Sequence, residues 1–111
     1  MQQSVEPFKR IDIEEAKLLM ESGKVRVIDV RNPDEWQAGH IPQADHLPLP
    51  QIIDNPEKSL SGDRDEPHLF VCAVGERSAI ACEVAAMLGF KEIYNLSGGT
   101  NAWIKAGNPV S

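Results

Sequence analysis

The sequence is poor in the residues that build crosslinked, metal-bound or membrane-embedded proteins. Only two cysteines occur in 111 residues, Cys72 and Cys82, and they form no Cys-x-x-Cys pair. At most one disulfide is available. The three histidines, His40, His46 and His68, complete no zinc-binding spacing with the two thiols, so neither a metal nor an organic cofactor is implied. No apolar run is long enough for a membrane helix, and Met1 to Arg10 lacks the basic-then-apolar pattern of a leader peptide. Basic residues are outnumbered, with 11 Lys and Arg against 17 Asp and Glu for a net charge of −6. A pI near 4.9 argues against nucleic acid and anionic membranes as partners, since both need a basic footprint. Internal repeats and low-complexity tracts are also lacking.

What is present is ordinary globular material, 41% hydrophobic and 25% charged. The length suits one domain that buries roughly two-thirds of its surface without staples. Residues 1–7 read as a flexible polar tail and residues 8–111 as a single domain. The expected setting is the cytoplasm with both thiols free. The expected state is a monomer or weak dimer.

Strand and helix signals alternate along the chain. Lys9 to Ile11 reads as a short edge strand. Asp12 then offers an N-cap with Glu15 three residues later, a capping-box pattern, and Gly23 stands where a helix would end. Val25 to Val30 is a β-branched run fit for a buried strand. Asn32-Pro33-Asp34-Glu35 starts a second helix, with Pro at its first position and carboxylates in its first turn; Gly39 ends it. His46 to Leu49 reads as a short strand before a helical turn at Gln51 to Asp54. Asp54 to Pro67 reads as a solvated connection. Leu69 to Val71 is a core strand, Ser78 to Leu88 a well-buried helix, Ile93 to Leu96 another strand and Ala102 to Ala106 a last helix. This alternation predicts an α/β fold with a mainly parallel central sheet and helices on both faces. Sites in such folds form beyond the carboxyl ends of strands.

Chemistry concentrates in Cys72-Ala73-Val74-Gly75-Glu76-Arg77-Ser78, between a predicted core strand and a predicted helix. A loop there turns successive backbone N–H groups inward as an anion-binding nest. The helix N-terminus adds partial positive charge, and Arg77 offers a full one. Each effect favours thiolate over thiol at Cys72. A buried strand-end cysteine packing as a small hydrophobe is the alternative, and the loop alone does not separate the two.

Four motifs follow one another from about Lys9 to Pro109. They are Asp29-Val30-Arg31; Glu35 to Pro42 with Trp36, Gly39 and His40; Cys72-x-x-Gly75-x-Arg77-Ser78; and Leu96-x-Gly98-Gly99-x-x-x-Trp103. In this order they resemble the single-domain rhodaneses, a family of sulfurtransferases. The resemblance implies a three-layer rhodanese-like fold and a Cys72 thiolate that takes sulfane sulfur from a small anionic donor such as thiosulfate. The resulting persulfide passes its sulfur to cyanide, a thiol or a partner protein. Ala73, Val74, Gly75, Glu76, Arg77 and Ser78 would cradle the donor. A phosphatase or arsenate reductase on the same scaffold is the rival, as is a non-catalytic persulfide carrier or binding module. Related phosphatases use a loop one residue longer, whereas four residues separate Cys72 from Arg77 here.

Supporting roles are expected for Asp29, Arg31 and His40. Asp29 ends a buried strand, where it accepts loop N–H groups, pairs with Arg77 or caps a turn. Arg31 either lines the entrance or pairs at the surface with Asp34 or Glu35. His40 is read as structural, bonded to backbone near the helix end. Trp36 and Trp103 are read as core aromatics, Cys82 as a buried bystander, and Gly98-Gly99 as either a close approach to the site or a tight turn. Two departures from the family pattern stand out. Gln43 replaces a common glycine, and Glu76 sets a negative charge inside the loop, which disfavours dianionic thiosulfate.

Overall fold

The computed structural model describes residues 5–111, so residues 1–4 of the expected tail lie outside the described residues. Strands β1 (Lys9–Ile11), β2 (Arg26–Asp29), β3 (Asp45–His46), β4 (His68–Val71) and β5 (Ile93–Leu96) form one sheet in the order β1-β5-β4-β2-β3. Every pairing in it is parallel. Helices α1 (Ile13–Glu21), α2 (Pro33–Ala38), α3 (Leu49–Asp54), α4 (Pro56–Ser59), α5 (Glu76–Met87) and α6 (Gly99–Lys105) occupy the connections.

Side-chain alternation along the strands divides the core in two. Val27, Leu69, Val71 and Leu96 pack with Ala16 of α1 and Trp103 of α6. Ile28, Phe70 and Ile93 pack with Leu49 and Ile52 of α3 and with Ala81, Cys82 and Ala85 of α5. Period-two alternation into two separate clusters is what a sheet covered on both faces requires. The α/β three-layer architecture is therefore as expected.

Strand β4 is the anchor. Leu69, Phe70 and Val71 have no exposed surface, and each buried side chain of this kind stabilises by about 1.5–3 kcal/mol. Whatever follows β4 therefore projects from a strand buried along its whole length. Cys72 follows it directly.

Several boundaries differ from expectation, each for a local reason. Helix α5 starts at Glu76 and α6 at Gly99, both earlier than expected, because Gly75 and Gly98 cap them in the left-handed region. The strand expected over His46 to Leu49 is shorter, although its backbone still follows β2. Leu47 N–H donates to Asp29 O and Leu49 N–H to Val30 O, each at 2.9 Å. The solvated connection holds the one-turn helix α4, capped at its C-terminus by Leu60, a side chain 1% exposed that ties the segment to the core. A single apolar residue gives no periodic signal.

The capping box expected at Asp12 and Glu15 is only half formed. Asp12 caps α1 by accepting the Glu15 N–H at 2.9 Å. The carboxylate that reaches back to its own N-cap is instead Glu35 in α2, accepting the Asn32 N–H at 3.1 Å. Gln43 needs no glycine-like conformation: its turn closes by Ala44 N–H to Ile41 O at 3.0 Å, and no non-glycine among the described residues has positive φ.

Candidate active site

Cys72 has no exposed surface at the carboxyl end of β4. Its sulfur nevertheless meets donors. Gly75 N–H points at Sγ from 3.1 Å, and Ser78 Oγ lies 3.3 Å away. Burial pushes the thiol upward, while the Ser78 hydroxyl and the N–H groups of Ser78, Gly75 and Val74 pull it down. The donors win, and Cys72 is more acidic than an ordinary cysteine.

Two glycines shape this cradle. Gly75 has φ +103°, and a Cβ there would sit 3.4 Å from Leu96 O. Gly99 has φ +58°, and a Cβ would meet Cys72 O at 2.3 Å and Ala73 O at 2.5 Å. Only glycine lets the start of α6 come so close. Thr100 N–H donates to Cys72 O at 2.8 Å and Asn101 N–H to Ala73 O at 3.1 Å. With their carbonyls held by α6, the loop residues turn N–H groups toward the sulfur. Gly98-Gly99 is thus a close approach.

The charged residues are arranged differently from expectation. Arg77 does not meet Asp29. Its guanidinium grips Glu35 of α2 with two bonds, Nη1 to Oε1 at 2.7 Å and Nη2 to Oε2 at 2.9 Å. That grip holds the Glu35 carboxyl down at about 2, against partial burial. Asp29 is bound by Arg31, through its N–H at 3.0 Å and its guanidinium at 2.8–3.1 Å. Arg31 also donates to Gly39 O at 2.8 Å and is 6% exposed, so it neither lines an entrance nor pairs at the surface. The reason is proximity: two residues apart, Asp29 and Arg31 satisfy each other before longer-range partners compete. A buried carboxylate needs such pairing.

His40 Nδ1 lies 2.8 Å from Trp36 O, the backbone contact expected for it. Trp36 is only half-buried and stacks on both His40 and His46, with ring centroids 3.5 and 4.8 Å apart. It belongs to a surface stack and is not a core aromatic. Trp103 is in the core, 3% exposed, with its Nε1–H donating to Pro109 O at 2.7 Å. Glu76 is exposed at the start of α5 and lines a shallow concavity with Val74, Gly75, Ser97 and Gly98.

Sequence reasoning passed over two residues that belong to the site. Glu35 reads in the sequence as a first-turn carboxylate, the start of a motif and a surface partner for Arg31, but not as the partner of Arg77. Asn95 is fully buried on β5, with Nδ2 donating to Gly75 O at 2.9 Å and Oδ1 accepting from Ser78 Oγ at 2.5 Å. A polar amide between apolar strand neighbours was the available signal, because burial there demands partners. Thr100 Oγ1 is the one buried side-chain polar atom without a partner among the described residues. Among those residues no three His, Cys, Asp or Glu side chains gather to hold a metal ion, and no helix is long and apolar enough to cross a membrane.

A family profile described as Rhodanese-like domain matches residues 12–106. The chain belongs to the rhodanese-like family. A thiosulfate sulfurtransferase, GlpE, from Vibrio cholerae is 31% identical over 103 residues, 93% of this chain and 94% of that relative. The crystal structure of a rhodanese-like domain protein from Staphylococcus aureus is 34% identical with a TM-score of 0.77, covering 94% of this chain and 97% of that one. A protein of unknown function from Rhodopseudomonas palustris, described as a possible tyrosine phosphatase, is 27% identical with a TM-score of 0.79, covering 100% and 99%. In this rhodanese-like chain the motif loop from Cys72 to Ser78 therefore occupies the strand-end position of the fold.

Proposed function

We propose that this rhodanese-like chain is a sulfurtransferase that works through a Cys72 persulfide. The observation carrying this reading is the Cys72 sulfur itself, buried yet faced by N–H and hydroxyl donors that favour its thiolate. In the first step the thiolate attacks the outer sulfur of a donor such as thiosulfate. The S–S bond of the donor breaks, sulfite leaves with the electron pair, and Cys72 holds Sγ–S⁻. In the second step a nucleophile such as cyanide or a thiol takes the outer sulfur, and the Cys72 thiolate is restored. Ala73 to Ser78 supply the backbone that faces the negative charge in both steps.

Arg77 supports sulfur over phosphorus. Its charge is committed to Glu35, and the loop that precedes it is one residue shorter than in related phosphatases. A phosphoryl group needs a free guanidinium and more room than a single sulfur atom. The same pairing leaves dianionic thiosulfate with less attraction than a loop with a free arginine would provide. A cytoplasmic, reducing setting suits a mechanism that needs a free thiol.

Turnover of thiosulfate with cyanide, measured beside hydrolysis of an aryl phosphate, tests the assignment. Sulfur transfer well above phosphate hydrolysis is expected. Dominant phosphate hydrolysis, favoured by the likeness to the Rhodopseudomonas protein, would overturn it.

A further inference from the structure

Counting hydrogens around Ser78 exposes a conflict. Ser78 Oγ lies within bonding distance of both Cys72 Sγ, at 3.3 Å, and Asn95 Oδ1, at 2.5 Å. A hydroxyl carries one hydrogen and cannot donate to both. The amide orientation of Asn95 is fixed independently, because Nδ2 donates to Gly75 O at 2.9 Å. Turning the amide over would set Oδ1 against that carbonyl, two acceptors face to face. Oδ1 therefore faces the hydroxyl in every protonation state of Cys72. All three side chains are buried, so no water competes freely for the hydrogen.

We propose that Asn95 is a positioning residue for Cys72, holding the Ser78 hydroxyl hydrogen while the sulfur is uncharged and releasing it to Sγ when the thiolate forms. With Cys72 as a thiol, S–H donates to Ser78 Oγ, whose own hydrogen goes to Asn95. When the thiol proton leaves to water, the hydroxyl rotates and donates to the sulfur anion. No proton changes owner within the pair. After a persulfide forms, its charge sits one atom further out, and the hydroxyl is free to return to Asn95. The amide thus opposes the thiolate at rest and offers the hydroxyl a second partner whenever Cys72 is loaded. Because Asn95 also grips the Gly75 carbonyl, one side chain ties the hydroxyl and the loop backbone together. This inference rests on the proposed role of Cys72 as the nucleophile.

The other charged groups near the sulfur are already committed to partners or solvent. Arg77 of α5 is bound to Glu35 of α2, Asp29 at the end of β2 to Arg31, and Arg10 of β1 to Glu6. Glu76 is exposed, and Cys82 is held protonated by burial. None of them bonds to Asn95, so their influence cancels in a comparison of variants.

The test is a double-mutant cycle read as the Cys72 midpoint in an ultraviolet thiolate titration of the full chain. Asn95→Leu is made in the Ser78 protein and in Ser78→Ala. Removing the competing acceptor should lower the midpoint by about half to one unit more in the first background than in the second. Equal shifts in the two backgrounds would overturn the proposal, since a merely structural role acts alike in both. If Asn95→Leu does not fold, Asn95→Ala takes its place in the same cycle with the same outcomes. The titration needs no sulfur donor, so failure to form a persulfide counts against the proposed function and leaves this coupling to stand or fall alone.

Discussion

Cys72 and Cys82 lie ten residues apart and belong to the same buried cluster, both with no exposed surface. Burial acts on each in the same direction, yet their acidities diverge. Cys72 is faced by the Ser78 hydroxyl and by N–H groups of Gly75, Val74 and Ser78, and is pulled below the ordinary value. Cys82 meets a carbonyl, Tyr94 O at 3.4 Å, to which it donates, and burial pushes it far up. Depth in the protein therefore does not by itself set a cysteine's acidity. The donors aimed at the sulfur decide its direction.

Exchanging the two thiols separately gives the largest expected contrast. Cys72→Ser should abolish sulfur transfer with little change in thermal stability. Cys82→Ser should keep transfer and lose stability, because a hydroxyl replaces sulfur in an apolar site. Loss of transfer in both variants would break the comparison. Next in size is Gly99→Ala, whose Cβ would collide with Cys72 O. It should cost about 2–4 kcal/mol in denaturant unfolding and disturb the cradle of Cys72 while leaving that of Cys82 intact. Ser78→Ala should raise the Cys72 midpoint by about half to one unit in a thiolate titration, with Cys82 unmoved.

Acid stability reports on groups other than the two thiols. His68 is held below its ordinary value by burial. The unfolded chain therefore takes up that proton first, and stability should begin to fall as pH drops below about 6.5. Glu35, held at about 2 by Arg77, adds a second loss as pH falls from about 4.5 toward that value. Thermal melts across this range check both limbs, and His68→Phe should remove the first. The smallest effect is expected from Glu35→Gln. Releasing Arg77 should lower KM for thiosulfate by a few-fold in steady-state kinetics, with kcat little changed.

The fold was largely legible because period-two runs such as Val27-Ile28 and Leu69-Phe70 in β2 and β4 announce a sheet buried on both faces. Cys72 was legible as a candidate because a strand, a glycine and a helix start flank it. The partners of the arginines were not. Whether Arg77 meets Asp29 or Glu35 depends on where α2 docks, 42 residues away along the chain from Arg77 to Glu35, and no local pattern records that. For Asn95 the polar amide in an apolar strand signalled buried partners, but not that they would be Gly75 and Ser78 across the sheet end. Helix starts were misplaced where glycine served as a cap and was taken for loop. What sequence conveyed was the chemistry of single residues, and what it withheld was which of them satisfy one another.

The central claim is that Cys72, and not Cys82, takes up a sulfur atom. Intact-mass spectrometry with peptide mapping after treatment with a sulfane-sulfur donor addresses it directly. One added sulfur, about 32 Da, should map to the Cys72 peptide and be absent from Cys72→Ser. An adduct on Cys82, or none with any donor, would contradict it.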